Sequence, residues 1–257
     1  MGDGIIFGQR GQGLLTSGRG MIFGRRGALD PLVATYDAIL DTDPAVPVMF
    51  QLTEYRGQQV LWQDPECTIP VEEIGDPIGG VRHPETGEIL VVQETDADRP
   101  AWGGIGVGAE FDKSQHMEIP GASFDFVQNT GLFRIVATIS GWSAGNGGIV
   151  DTVGFGGSGS GFYLRTVSDR VNIRIIESGS IVVDISTSSL VPGEDYKIEA
   201  RGDGDSVEIL VDGSVHRSTP FTPFLGTSSL VTNVGRLQVN NREFIGKMKT
   251  LFIADLS

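Results

Sequence analysis

The chain of 257 residues is poor in several residue types on which function is often built. It has one cysteine, Cys67, so no disulfide can form within it, and a disulfide-stapled secreted module is excluded. The thiol is read as inert and structural. Its three histidines, His83, His116 and His216, are scattered, with neither metal-ligand spacing nor a motif around a nucleophile. Basic residues are scarce: 19 Lys and Arg face 33 Asp and Glu, a formal charge of −14 that repels nucleic acid and favours solubility. No apolar run approaches the ~20 residues of a membrane span. The N-terminus also lacks a basic region followed by an apolar run, so no signal peptide is expected.

What the chain does have is glycine, 37 residues of it, and alternation. In the stretch 196–215, Tyr196, Ile198 and Ala200 alternate with Lys197, Glu199 and Arg201. After a Gly202-Asp203-Gly204-Asp205 turn, Val207, Ile209 and Val211 alternate with Glu208, Leu210 and Asp212. This is a β-hairpin with one buried face, followed by a second tight turn at Asp212-Gly213. Similar units recur from about residue 105 onward, which predicts an all-β, two-sheet sandwich there.

Earlier regions read differently. Residues 4–11 (GIIFGQRG) are echoed by 20–27 (GMIFGRRG), each a short apolar strand with a Gly/Arg turn. Residues 1–29 are read as an attachment element, carried by Ile5, Ile6, Phe7, Arg10, Ile22, Phe23, Arg25 and Arg26; the alternative is a local hairpin packed on its own domain. Asp30-Pro31 then starts a short amphipathic helix, with Leu32, Val33, Tyr36, Ile39 and Leu40 at helical spacing, that stops near Asp41-Thr42-Asp43-Pro44. Short strands are expected at 47–52, 59–62 and 88–93. Residues 30–102 are therefore taken as the helix plus a small β-rich region and 103–257 as the sandwich. The string 103–108 (GGIGVG) is read as a hinge between them, since a strand and not a capped helix follows it.

Two resemblances add to this reading. The 196–215 hairpin with its VDG turn, the later segments 235–238 and 244–253, the pair Glu110-Phe111-Asp112 to Met117-Glu118-Ile119 as a first strand, and FRIVATISGW at 133–142 together resemble the laminin-G/concanavalin A-like jelly roll. The run 61–64 (LWQD), 68–71 (TIPV), 74–79 (IGDPIG) and 92–102 (VQETDADRPAW) resembles a segment that precedes jelly-roll domains in structural proteins of tailed bacteriophages and prophages. Here 81–87 (VRHPETG) departs from the short Asn/Gly-rich stretch of that pattern. The resemblance implies a virion structural protein, assembled in the host cytoplasm, that meets other virion proteins through its N-terminal region. It also implies a homo-oligomer, with three copies favoured, and a displayed lectin-like domain for host-surface glycans. The alternative is an accessory or cement protein that makes protein contacts and binds no sugar.

Candidate site residues follow from the chemistry of sugar recognition, which joins an aromatic platform to polar groups on exposed loops. Trp142, Phe155 and Tyr163, with Asn146, Asp151, Asn240 and Asn241, are the carbohydrate-binding candidates; Phe162 also lies nearby, and Trp142 has the competing reading of a core residue. No cofactor is required. Calcium, used by some proteins of this fold, has only Asp112, Asp125 and Asp151 as candidate ligands. No catalytic residues are assigned: among so many acids, carboxylate pairs arise by chance, and a glycan-degrading enzyme is the third reading after attachment and structural roles. Arg201-Gly202-Asp203 spells an integrin-binding tripeptide, but a hairpin turn needs those residue types anyway.

Overall fold

The computed structural model describes residues 31–121, 123–153, 159–228, 231–238 and 242–257. The N-terminal repeat, from Ile5 to Arg26, lies outside them. Helix α1 (Pro31–Leu40) is where the spacing places it. Proline suits the first turn because its missing N–H would be unpaired there anyway. Tyr36 and Ile39 are buried, and the Tyr36 hydroxyl donates to the Pro47 carbonyl at 3.0 Å. After the helix Asp43 takes a φ of +50°, just before Pro44. Among the described residues no helix is long and apolar enough to cross a membrane.

The rest is an all-β sandwich. Its strands of three residues or more are β1 (Val46–Met49), β2 (Gly80–Arg82), β3 (Ile89–Val92), β4 (Ala109–Phe111), β5 (Met117–Ile119), β6 (Leu132–Ser140), β7 (Gly147–Asp151) and β8 (Gly161–Val167). They continue as β9 (Arg170–Glu177), β10 (Ser180–Ser186), β11 (Tyr196–Asp203), β12 (Ser206–Val211), β13 (Ser214–Pro220), β14 (Thr232–Val234) and β15 (Gly246–Asp255). A short helix, α2 (Phe126–Asn129), precedes β6. The first sheet runs β13-β12-β11-β6-β15-β4, ends at Ala101–Trp102, and takes β1 beside β15. The second runs β10-β9-β8-β7-β14-β5-β3-β2 and ends at Leu61–Trp62, with the pair Arg236–Leu237 and Arg242–Glu243 joined to β7.

Alternation decides which side chains lie between the sheets. From the first sheet Phe133, Ile135, Ile198 and Ile209 point inward, and from the second Phe162, Leu164, Ile173 and Ile175; all are 0% exposed and belong to one continuous core. The hairpin of β11 and β12 has the predicted faces, with Ala200 opposite Ile209 and Ile198 opposite Val211.

Two details differ from the expectation. The segment 110–119 is not one strand: β4 lies in the first sheet and β5 in the second, and the chain crosses between them through 112–116, where Ser114 takes a φ of +74°. The glycine string 103–108 is a hairpin turn and not a hinge. Gly103 N–H bonds the Gly108 carbonyl at 2.8 Å, and Trp102 pairs with Ala109. Gly108 has φ +89°, and a Cβ there would sit 2.3 Å from the Met248 carbonyl oxygen, so no other residue fits. The boundary drawn at 102/103 is crossed by both sheets, since β1 pairs with β15 and β3 with β5.

This packing predicts the outcome of one substitution. Ile209→Asp gives up burial worth roughly 1.5–3 kcal/mol and places an unpaired carboxylate in the core. The variant is expected to show no cooperative melt by circular dichroism. A variant melting within a few degrees of the parent would show that β12 faces the other way.

Candidate functional site

The two outer faces of the sandwich differ in how their charges are used. On the first sheet a cleft of about 700 Å³ is lined by Arg134, Glu199, Arg201, Asp203 and Glu208, and each charge has its own partner. Arg134 donates a two-pronged pair of hydrogen bonds to Glu199, both 2.9 Å, and Arg201 pairs with Glu208 at 2.7 Å. Asp203 accepts from the backbone N–H groups of Asp205 and Ser206 and from the Ser206 hydroxyl, and these bonds hold its carboxyl below the usual carboxylate range. Gly202 has no room for a side chain, as a Cβ would sit 2.2 Å from the Gly131 carbonyl oxygen. The tripeptide Arg201-Gly202-Asp203 is thus occupied as hairpin structure. A groove of about 690 Å³ beside it separates α1 from Val136, Thr138 and Phe252.

The second sheet presents a different surface. Strands β8 and β9 form a tight hairpin whose register sets Tyr163 opposite Arg174 and Arg165 opposite Asn172. Because Phe162 and Leu164 face the core, Tyr163 and Arg165 face outward, and so do Asn172 and Arg174. The Tyr163 ring lies beneath two guanidinium groups, Arg165 at 5.0 Å and Arg174 at 6.0 Å from its centroid. Arg174 also donates to the Tyr163 hydroxyl at 2.9 Å and pairs with Asp184 of β10 at 2.8 Å. Asn172 donates to Asp184 at 2.8 Å and accepts from Arg165 Nε at 3.1 Å. Asp151, in register with Tyr163 on the neighbouring β7, extends the face.

Burial alone would raise the Asp184 carboxyl. Hydrogen bonds from Arg174 and Asn172, with the charges of Arg174 and Arg165, outweigh it and hold that carboxyl below its usual value. Burial is again the largest cause at Arg165, where it depresses the guanidinium from its usual value.

Among the sugar-binding candidates, then, Asp151 and Tyr163 come together. Neither is a free platform: Tyr163 is 6% exposed under its arginines, and Asp151 is 0% exposed and accepts from the N–H groups of Val153 and Gln238 at 2.8 and 2.7 Å. Trp142 is corrected to a core residue, 1% exposed, with its backbone packed against Gly246. Phe162 is likewise core. Asn146 is exposed in the 141–146 connection. Phe155, Asn240 and Asn241 lie outside the described residues. Arg165, Asn172, Arg174 and Asp184 were not expected from the sequence. The signal was present, since a turn at Ser168-Asp169 sets the register of the flanking alternating runs and hence the pairs 163/174 and 165/172.

The remaining candidates serve local structure. Asp125 accepts from the N–H and hydroxyl of Ser228, both 2.7 Å, and Asp112 from the N–H of Lys113 at 2.6 Å. His83 and His216 accept backbone N–H groups at 3.2 Å, and His116 is buried beside the Ser114 carbonyl. Among the described residues no three His, Cys, Asp or Glu side chains converge on a metal position.

No protein-family model and no curated protein matches the chain. Among solved structures it is similar to a botulinum neurotoxin type C structure described for interaction with two ganglioside molecules, at 13% identity and TM-score 0.47 over 86% of this chain and 50% of that one. It is also similar to the binding domain of Paraclostridial Mosquitocidal Protein 1, at 10% identity and TM-score 0.46 over 58% and 41%. A third is the binding domain of Botulinum neurotoxin DC in complex with rat synaptotagmin II, at 14% identity and TM-score 0.43 over 55% and 37%. The chain spans half or less of the length of each.

The Asp184 contacts carry a pH signature. A carboxyl held low in the folded state lends stability that is complete above its ordinary value and lost as the pH falls through the lower folded one. The melting temperature of the parent is expected to exceed that of Asp184→Asn near neutrality and to converge with it as the pH falls below about 4. A gap that stays constant over that range would remove the charged pairing with Arg174.

Proposed function

We propose that this protein is a non-catalytic structural component of a tailed-bacteriophage virion that displays its sandwich to bind glycans of the host surface. The observation that carries the binding half is the outer face of β8 and β9, where an aromatic ring, two guanidinium groups, an amide and a carboxylate lie within one hydrogen-bonded patch. Such a patch offers donors and acceptors in fixed directions, which is what a hydroxyl-rich ligand needs, and sheet strands hold them more firmly than loops do. The virion half is supported by the ordered segments of 61–102 that resemble phage structural proteins and by the apolar Gly/Arg repeat at 4–27, which suits attachment to a larger assembly. Its place would be a tail fibre or spike, or a fibre or decoration on the capsid, as a homo-oligomer for which the resemblance favours three copies.

A second reading, contacts with other proteins in place of sugar, is favoured by apolar side chains on the two sheet edges: Ile181 and Val182 of β10 and Val215 of β13 are 52%, 41% and 51% exposed.

Two measurements test the proposal. Arg174→Ala removes the donor to Tyr163 and the partner of Asp184, and is expected to lower binding of the full chain to host-surface glycans at least tenfold while the melting temperature changes little, because a half-exposed ion pair contributes only about 0–1 kcal/mol. Undiminished binding would move the site elsewhere, and no glycan binding by the parent would favour the second reading. A truncation beginning at Asp30 is expected to stay folded yet fail to join the particle, as seen by electron microscopy with a label on this protein. Normal incorporation would remove the attachment role of the repeat.

A further inference from the structure

On the outer face of β8 and β9 one arginine has a carboxylate partner and another has none among the described residues. Asp184 is that partner, and it is bound to Arg174 at 2.8 Å and to Asn172 at 2.8 Å. Arg165, on the adjoining strand, spends Nε on the Asn172 amide oxygen at 3.1 Å and has no ion pair among the described residues. It is half-buried, stacked 5.0 Å from the Tyr163 ring centroid. After burial, the nearby charges of Arg174 and Arg242 also work against its cation, while Tyr163 and Asp184 favour it.

With 33 acids against 19 bases a carboxylate partner is an easy group for the chain to supply, and Arg134 and Arg201 on the first sheet each have one, while Arg165, like Arg82 and Arg236, has none among the described residues. A cation drawn partly out of water among other cations costs stability that its amide and ring contacts only partly offset. The flat fork of guanidinium N–H groups that remains is matched to a carboxylate, which can accept two parallel hydrogen bonds.

We propose that Arg165 binds the carboxylate of an acidic saccharide, a sugar acid such as a uronic or sialic acid, with Asn172 and Tyr163 fixing the guanidinium plane. This rests on the glycan-binding reading of the same face and adds to it the chemical class of the ligand. A neutral sugar would leave Arg165 without the ion pair it lacks among the described residues; an acidic one supplies it.

The test uses the full chain on an array of carboxylated saccharides, their carboxyl-reduced counterparts, phosphorylated saccharides and neutral glycans. Binding to carboxylated members is expected, with at least a tenfold loss on carboxyl reduction and a similar loss for Arg165→Gln, whose circular dichroism spectrum should match the parent. The reduced ligands make the comparison without any variant, so a poorly folded Arg165→Gln would not blunt it. Equal binding to neutral or reduced sugars would overturn the acidic-ligand assignment while leaving glycan binding intact. Selective binding to phosphorylated members would overturn the carboxylate in favour of phosphate. Binding to no member of the array would overturn the glycan reading and this assignment together.

Discussion

The structure depends on the register of strand β15 against its neighbours. This strand pairs with β6 over 133–140, with β1 over 46–49 and with β4 over 109–111. A slip of one residue would send Leu251 and Ile253 outward and Phe252 and Thr250 into the core, so the inner face of the whole sheet is fixed by one set of backbone hydrogen bonds. These contacts join residues some 100 to 200 positions apart, and the entropy of closing such long loops must be overcome before the sheet gains anything from burial. The core is therefore shared by early and late segments, and one of the ties on helix α1 runs through β1, to which Tyr36 bonds and which is itself held by β15.

Against that common core, the two outer faces have taken separate paths. The first sheet matches Arg134 and Arg201 each with a glutamate on a neighbouring strand, and the cleft between them is a surface already satisfied by its own ladder. The second sheet shares one aspartate among an asparagine and an arginine and leaves a second arginine to an amide and a ring. Size and shape favour the first face as a binding site, whereas unmet electrostatic demand favours the second. Demand is the better guide, since a ligand gains most from a group whose interactions are incomplete before it arrives.

Local patterns made much of this legible. Alternation in 196–211 gave both faces of β11 and β12, and helical spacing after Pro31 gave α1. Where the reading failed, a longer-range constraint had intervened. Glu110 to Ile119 alternates well enough for one strand, but Phe111 and Met117 are claimed by opposite sheets, and the positive φ of Ser114 makes the crossing. Trp142 follows a strand next to a Gly/Ser/Asn loop, as a sugar platform would, yet Gly246 gives it space to pack inward. Arg165 and Arg174 look like ordinary solvated positions in the sequence; only the register of the hairpin shows that they share a tyrosine. The charge balance between strands is a property of pairing and cannot be read along one of them.

Cys67 sits in the turn region before β2 with 4% of its surface exposed, and a side chain on Gly80 would collide with its sulfur at 2.6 Å. Burial pushes the thiol up to about 11, against the weaker opposing pull of Arg82, so almost none of it is thiolate at neutral pH. Sealing and protonation together make the sulfur unreactive while the sheet edge around Leu61–Trp62 is closed. The chain thereby contains its own clock: the rate at which a thiol reagent modifies Cys67 counts how often that edge of the second sheet opens, without any probe having to be introduced.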